Sequence, residues 1–161
     1  MYNAEEIFSI GVEIERNGEA FYRKAAEKAD DADSKKILEE LANWEKGHVA
    51  LFDALKALLP EDFKSGENQF DIDEEAQRYF KAAADSHIFN KGVDLDAIVA
   101  GIEQTVDIFR VALGFEKDSV VLYEAMKKMV PAGMGRDKVD SLIQEEMTHV
   151  AMMQEKIALF A

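Results

Sequence analysis

The chain has 161 residues, 48% of them hydrophobic, and a formal net charge of −14. This length and hydrophobic content suit one domain with a substantial core, and the negative charge would repel nucleic acid and anionic membranes, so we expect neither as a partner. Cysteine is absent, which excludes disulfides, thiol catalysis and cysteine-ligated iron–sulfur or zinc sites and fits a cytoplasmic location.

The first predicted elements are two helices in sequence. The N-terminus, MYNAEEIFSIG, has no basic segment followed by an apolar run, so we expect no signal peptide. Apolar residues at helical spacing predict a helix over 4–29. The Asp-rich segment after it predicts a turn, and Asp33 or Ser34 is expected to cap a second helix that runs to about Leu59, just before Pro60.

A polar connection and a shorter helix come next. Residues 60–73 are polar and predict a loop, and residues 73–89 predict a helix that ends at an Asn-Lys-Gly sequence. A third long helix is predicted over 95–130, with Gly101 marking a kink within it. No apolar stretch approaches the roughly 20 residues of a membrane span.

A Gly- and Pro-containing turn precedes the last helix. The sequence VPAGMGR at 130–136 predicts this turn, and Asp137 is expected to begin a helix that runs to about Phe160. These elements predict an all-α protein of one domain, whose long helices pair as two antiparallel hairpins.

A constant offset of 101 positions relates the two hairpins (116 minus 15, for example). Each hairpin has a glutamate, then a tyrosine seven residues later, then a Glu-x-x-His step 30 residues after the first glutamate. The two sets are Glu15, Tyr22, Glu45 and His48 in the first hairpin and Glu116, Tyr123, Glu146 and His149 in the second. A repeat near 100 residues is too long for a solenoid, so we interpret it as a duplicated helix pair.

Helix geometry places the two acids of each hairpin at one level. At about 1.5 Å per residue, Glu15 lies about 21 Å from the turn near residue 29, and Glu45 lies about 17 Å back from Ser34. In the second hairpin the corresponding lengths are about 21 Å and 14 Å. Each antiparallel pair should therefore bring its glutamates face to face.

These residue types suit a pair of transition-metal ions. Residues three apart share a helix face, carboxylates can bridge two cations, and imidazole favours iron, manganese, cobalt or zinc over magnesium or calcium. Four carboxylates also balance the charge of two divalent ions in a buried site. A single Glu-x-x-His on an acidic helix would more simply be a solvated pair, but six residues in matched register favour metal ligands.

Several neighbouring residues admit simpler interpretations. The methionines look like core residues, His87 looks structural, and Trp44 is expected to pack against the crossover helix. Glu145 should point away from Glu146 into solvent. Glu19 lies one turn after the first glutamate and could add a carboxylate, although its counterpart at position 120 is valine.

Four segments carry a family resemblance: IERNGEAFY (14–22), EKGH (45–48), FEKDSVVLY (115–123) and EEMTH (145–149). Through them the chain resembles the rubrerythrin-like branch of the ferritin-like superfamily over nearly its whole length. The resemblance implies a ferritin-like four-helix bundle with a carboxylate-bridged di-iron site and a homodimer. The single domain over 1–161 would then consist of hairpin 4–59, a long crossover over 60–104 and hairpin 105–160. The implied metal ligands are Glu15, Glu45, His48, Glu116, Glu146 and His149. Tyr22 and Tyr123 lean back along their helices, so each is expected to hydrogen-bond the glutamate of its own helix.

The chain departs from the family pattern in two respects. Full-length rubrerythrins append a rubredoxin-like domain with paired cysteines, so this chain would need a separate electron-transfer protein as donor. They also tend to have a further glutamate one turn after the third ligand, where this chain has Ser119 and Val120. The ligand set is therefore closer to a symmetrical bacterioferritin pattern.

Three functions follow from these observations. The leading expectation is a cytoplasmic di-iron enzyme that reduces peroxide or dioxygen as protection from oxidative stress. The alternatives are a ferroxidase or iron-handling protein, for which Fe(II) is the substrate, and a non-enzymatic helical protein that binds zinc or nothing. Manganese or zinc could also substitute for the two iron ions.

Overall fold

Four long helices make up most of the structure, a computed structural model that describes residues 1–161. They are α1 (Ala4–Lys28), α2 (Ala32–Ala57), α6 (Thr105–Met129) and α7 (Arg136–Ala158). Three short helices lie in the crossover between α2 and α6: α3 (Glu61–Ser65), α4 (Glu74–Ser86) and α5 (Leu95–Ala100). There is no β-strand, and α1 packs on α2 as α6 packs on α7. The prediction of an all-α bundle of two hairpins is confirmed.

The first hairpin is defined by its caps. Asn3 and Glu6 form a reciprocal capping box at the start of α1, with both hydrogen bonds at 2.8 Å. Asp31, and not Asp33 or Ser34, caps α2. Its backbone is extended, so its carboxylate can accept from the amide of Ser34 at 2.8 Å. The helix ends at Ala57, two residues before the predicted limit.

The crossover contains one helix that the sequence did not predict. Residues 61–65 form the short helix α3 inside the predicted loop, with Phe63 buried against the core and Gly66 ending the helix at φ +80°. Burial of one aromatic ring stabilises a turn whose polar sequence does not mark it as helical. Helix α4 begins after its cap, Asp73, and ends at Ser86, three residues before the predicted limit.

The predicted helix over 95–130 is divided into α5 and α6. The Lys28 ammonium group donates to the carbonyl oxygens of Val99 at 2.6 Å and Ile102 at 2.5 Å, where α5 ends. Gln104 is extended at the start of α6. Residues 101–104 are therefore a break, where the sequence predicted a kink. Helix α7 begins at Arg136, one residue early, and ends at Ala158, two residues before Phe160.

An aromatic core surrounds the middle of the bundle. Gly18 allows α1 to approach α6 closely, because a Cβ atom at this position would overlap the ring of Phe115. That ring also packs against Tyr22 and Phe89, with centroids 5.9 and 4.9 Å away. The predicted core methionines are only partly confirmed, since Met147 is 49% exposed. No helix combines the length and apolarity that crossing a membrane would require.

Candidate metal centre

Six acidic and imidazole side chains meet inside the aromatic core. The glutamates are completely buried and the histidines are at most 4% exposed. Each long helix contributes, α1 and α6 with one glutamate each and α2 and α7 with a glutamate and a histidine three residues later. The six are Glu15, Glu45, His48, Glu116, Glu146 and His149. The structure thus brings together the residues that the sequence singled out, as the level argument for the two hairpins predicted.

Two overlapping groups of donor atoms form this centre. The first contains Glu15, Glu45, His48 and Glu146, and the second contains Glu45, Glu116, Glu146 and His149. Within each group the donor atoms all lie within 4.8 Å of one another. Glu45 and Glu146 belong to both groups, so the carboxylate of each could bind metal ions at two neighbouring sites. The centre therefore has two potential metal sites that share two carboxylates.

The histidines turn the same ring atom toward the centre. His48 Nδ1 lies 3.1 Å from Glu45 Oε2 and 3.0 Å from Glu146 Oε1. His149 Nδ1 lies 3.3 Å from Glu146 Oε2 and 3.5 Å from Glu116 Oε2. In both rings Nδ1 is thus the potential metal-binding atom, and Nε2 is left for other contacts.

Each glutamate of the centre has one carboxylate oxygen that accepts no hydrogen bond of good geometry, although one of them, Glu146 Oε1, lies 3.0 Å from His48 Nδ1. These are the only buried side-chain nitrogen or oxygen atoms in the chain that lack one: Glu15 Oε2, Glu45 Oε1, Glu116 Oε2 and Glu146 Oε1. A buried, unpartnered carboxylate oxygen costs free energy. Hard oxygen donors that converge with two imidazoles are the set that iron or manganese prefers. The residues therefore fit a pair of transition-metal ions.

The two tyrosines hold glutamates of the opposite hairpin. Tyr22 Oη donates to Glu116 Oε1, and Tyr123 Oη donates to Glu15 Oε1. The prediction of a bond within each helix is wrong, because seven residues correspond to about 10.5 Å along the axis. Both side chains lean toward the N-terminus of their helix, so the tyrosine does not come closer to the glutamate of its own helix. The phenol occupies Oε1 in both cases and leaves Oε2 as the unpartnered atom.

Without cations, the centre holds protons. Burial, followed by repulsion from neighbouring carboxylates, raises the pKa of Glu45 and of Glu116 well above the usual range. Burial alone would lower the pKa of each histidine. Hydrogen bonds to the carboxylates outweigh it, raising the pKa of His149 to about 9 and that of His48 further. Burial also opposes ionisation of Glu146, but hydrogen bonds from Glu116 and the two histidines leave its pKa below the usual range. Metal ions binding here must displace several protons.

The family model of rubrerythrin matches residues 6–157. The chain belongs to the rubrerythrin family. A crystal structure described as that of a ferritin-like diiron-carboxylate protein from Thermotoga maritima is similar in fold, with a TM-score of 0.76 over 99% of this chain and 97% of the other, at 20% identity. Comparison with curated proteins gives no match. The match spans both hairpins and the crossover, so membership of the rubrerythrin family extends to all four helices of the centre.

Two residues that the sequence analysis set aside contact the histidines of this rubrerythrin-family centre. Glu145 was predicted to face solvent, and its side chain is 43% exposed, but its Oε2 also lies 2.8 Å from His48 Nε2. The indole of Trp44, which is 52% exposed, packs edge-on against the ring of His149, with centroids 5.7 Å apart. Both contacts cross between hairpins, so helical spacing within one hairpin could not reveal them. The signal available was the offset of 101, which also relates position 44 to position 145.

The other two candidates lie outside the centre. Glu19 forms a surface ion pair with Arg23 at 2.8 Å and belongs to neither group of donors. His87 is buried at the end of α4, where its Nδ1 accepts from the amide of Phe89 and its Nε2 lies 3.0 Å from Ser119 Oγ. Burial lowers the pKa of His87 to about 4, so the ring is neutral and its proton lies on Nε2. These contacts are consistent with the structural role predicted for His87.

Proposed function

We propose that this chain is a non-haem di-iron oxidoreductase that reduces peroxide or dioxygen. The observation that carries the proposal is the set of four buried, unpartnered carboxylate oxygens converging with two imidazole nitrogens between four helices. Four acids buried together cost free energy unless cations or protons balance their charge. Membership of the rubrerythrin family supports iron as the metal.

The proposed ligand set divides the six residues between two ions. Glu15 and His48 bind one ion, Glu116 and His149 bind the other, and Glu45 and Glu146 bridge both, as the two overlapping donor groups indicate. Four carboxylates and two neutral imidazoles then balance two divalent charges. Manganese or zinc would satisfy the same donors, so the metal in the cell follows from availability as well as from the ligands.

The chain's own residues position the centre and control protons and water. When bound, two ferrous ions supply the two electrons that, with two protons, convert hydrogen peroxide to two water molecules. Tyr22 and Tyr123 hold the carboxylates of Glu116 and Glu15 by one oxygen and leave the other free to bind. Burial raises the pKa of both phenols well above the usual range, so they remain hydrogen-bond donors at neutral pH.

A surface groove of about 510 Å³ between helices α2 and α7 reaches the edge of His48. We propose it as the route by which peroxide or dioxygen approaches the centre. Because the chain has no cysteine and so no thiolate-bound iron of its own, we propose that a separate electron-transfer protein returns the two electrons. A homodimer in the cytoplasm, acting against oxidative stress, is part of the same proposal.

A ferroxidase is the second candidate, favoured by the carboxylates of Glu40 and Glu145 that line the same groove. Anaerobic protein loaded with two Fe(II) ions per chain and mixed with peroxide separates the two functions. The proposed reaction oxidises two Fe(II) per peroxide and retains both ions, and a reductant restores them for a second cycle. When further Fe(II) is supplied in excess, oxidation of many Fe(II) ions per chain with ferric mineral retained would instead establish the ferroxidase. The same protein mixed with dioxygen identifies the preferred oxidant.

The control variants are Glu146→Gln, which changes a proposed bridging ligand, and Glu19→Gln, which changes a surface acid of the same type. We expect the first to abolish the rapid oxidation of iron and the second to leave it unchanged. Equal rates of iron oxidation in both variants would show that the reaction does not take place at this centre.

A further inference from the structure

The duplicated halves differ in the residue that contacts each histidine from outside the centre. Position 44 precedes the first glutamate of one Glu-x-x-His step and position 145 precedes that of the other, at the same offset of 101. Each of these residues reaches across to the histidine of the opposite hairpin. One is a tryptophan and the other is a glutamate, so the duplication is broken at this position.

The contact to His48 is a charged hydrogen bond. Glu145 Oε2 lies 2.8 Å from His48 Nε2, while Nδ1 of the same ring faces the carboxylates of the centre. Once Nδ1 binds a metal ion, the ring proton lies on Nε2, which donates a hydrogen bond to the Glu145 carboxylate. A carboxylate in this position fixes the orientation of the ring and makes Nδ1 a stronger donor.

The contact to His149 lacks this charge. The indole of Trp44 meets the His149 ring edge-on at an interplanar angle of 74°. No hydrogen bond within the chain involves His149 Nε2, and the ring contacts its carboxylate neighbours only through Nδ1. Tryptophan offers no acceptor for the ring proton. The second imidazole is therefore the weaker donor of two otherwise matched ligands.

We propose that Glu145 and Trp44 make the two metal positions inequivalent, with the position at Glu15 and His48 binding a divalent ion more tightly. Glu145 acts as a positioning residue through His48 and is not itself a ligand. This inference rests on the di-metal centre of the proposed function, and it adds the order in which the two ions bind. The ion next to His48 binds first, and it lies on the side of the centre that the surface groove reaches.

Co(II) titration of the metal-free protein, followed by visible absorption, tests the inference without any redox turnover. Two background variants isolate the positions, because Glu116→Gln leaves the His48 position and Glu15→Gln leaves the His149 position. We expect Glu145→Gln to weaken Co(II) binding about 10- to 100-fold in the first background and to leave it unchanged in the second. Conversely, Trp44→Glu should tighten binding only in the second background, and Trp44→Phe should change neither.

A structural role for Glu145 would shift both backgrounds alike, and that result, or no shift in either, overturns the inference. Circular dichroism spectra confirm that each variant is folded before titration. Failure of the wild-type protein to bind two Co(II) ions would remove the proposed function together with the inference. Two unequal Co(II) sites in a protein that does not reduce peroxide or dioxygen would leave the inference in place and remove only the proposed activity.

Discussion

Bridging and terminal glutamates should differ in the number of metal ions that their loss removes. Glu15 belongs to one donor group only, whereas Glu45 belongs to both. We therefore expect Glu15→Gln to reduce bound metal from two ions per chain to one, and Glu45→Gln to reduce it toward none. Glutamine keeps the size of the side chain and removes only its charge and one oxygen donor, so the packing of the bundle should change little.

The thermal stability of the protein should follow the same order. An ion present at 100 times its dissociation constant stabilises the folded state by about 2.7 kcal/mol. For a chain of this size, each kcal/mol raises Tm by about 2–4 °C, so one ion adds roughly 5–11 °C. Two ions should add roughly twice that to the wild-type protein. Glu15→Gln should keep about half of the increase and Glu45→Gln almost none.

Metal analysis by inductively coupled plasma mass spectrometry, paired with thermal melts with and without metal, measures both quantities on the same samples. Glu19→Gln is the matched control, since this acid lies on the same helix as Glu15 but pairs with Arg23 at the surface. It should retain two ions and the full increase in Tm. If Glu15→Gln lost both ions, or if Glu45→Gln lost only one, the assignment of shared and unshared carboxylates would be wrong.

Three further outcomes are expected. Tyr22→Phe and Tyr123→Phe each release one carboxylate oxygen from its donor and should weaken metal binding about 10- to 100-fold by Co(II) titration; unchanged affinity would show that the phenols do not orient the ligands. The pKa of His87 is lowered from 6.5 to about 4 in the folded protein, so between these pH values the unfolded chain binds a proton at this residue and the folded protein does not. The contribution of His87 to the free energy of unfolding is therefore complete above pH 6.5 and decreases by up to about 3 kcal/mol as pH falls toward 4. In urea unfolding, His87→Gln should show a smaller loss over that window, and parallel curves would contradict the argument. Finally, the pKa of His149 is raised to about 9 in the metal-free protein, so metal binding in the Glu15→Gln background should tighten at least tenfold per pH unit from pH 6 to 8, and a flat profile would contradict it.

The sequence predicted the members of the centre because their spacing is local. A Glu-x-x-His step fixes two donors on one helix face whatever surrounds the helix. The lengths of 4–29 and its partner helix then set the level at which the hairpin brings its acids together. Helix limits were less well predicted, since the cap at Asp31 depends on a backbone conformation and not only on residue type.

The misses share one physical cause, which is contact between distant segments. At the break in the predicted helix over 95–130, Lys28 of α1 donates to carbonyl oxygens of the crossover. Tyr22 and Tyr123 bind across the bundle because their own glutamates are two turns away. Neither contact leaves a pattern in the residues near it.

From the sequence alone came the fold class, the duplication and the identity of six converging side chains, because helical periodicity and hairpin lengths are properties of short stretches of chain. Only the tertiary structure decided which carboxylates are shared, which tyrosine holds which glutamate, and that Glu145 faces one histidine while Trp44 faces the other. Those pairings depend on the relative orientation of the two hairpins. Packing across the whole core determines this orientation, and no single segment of the chain does.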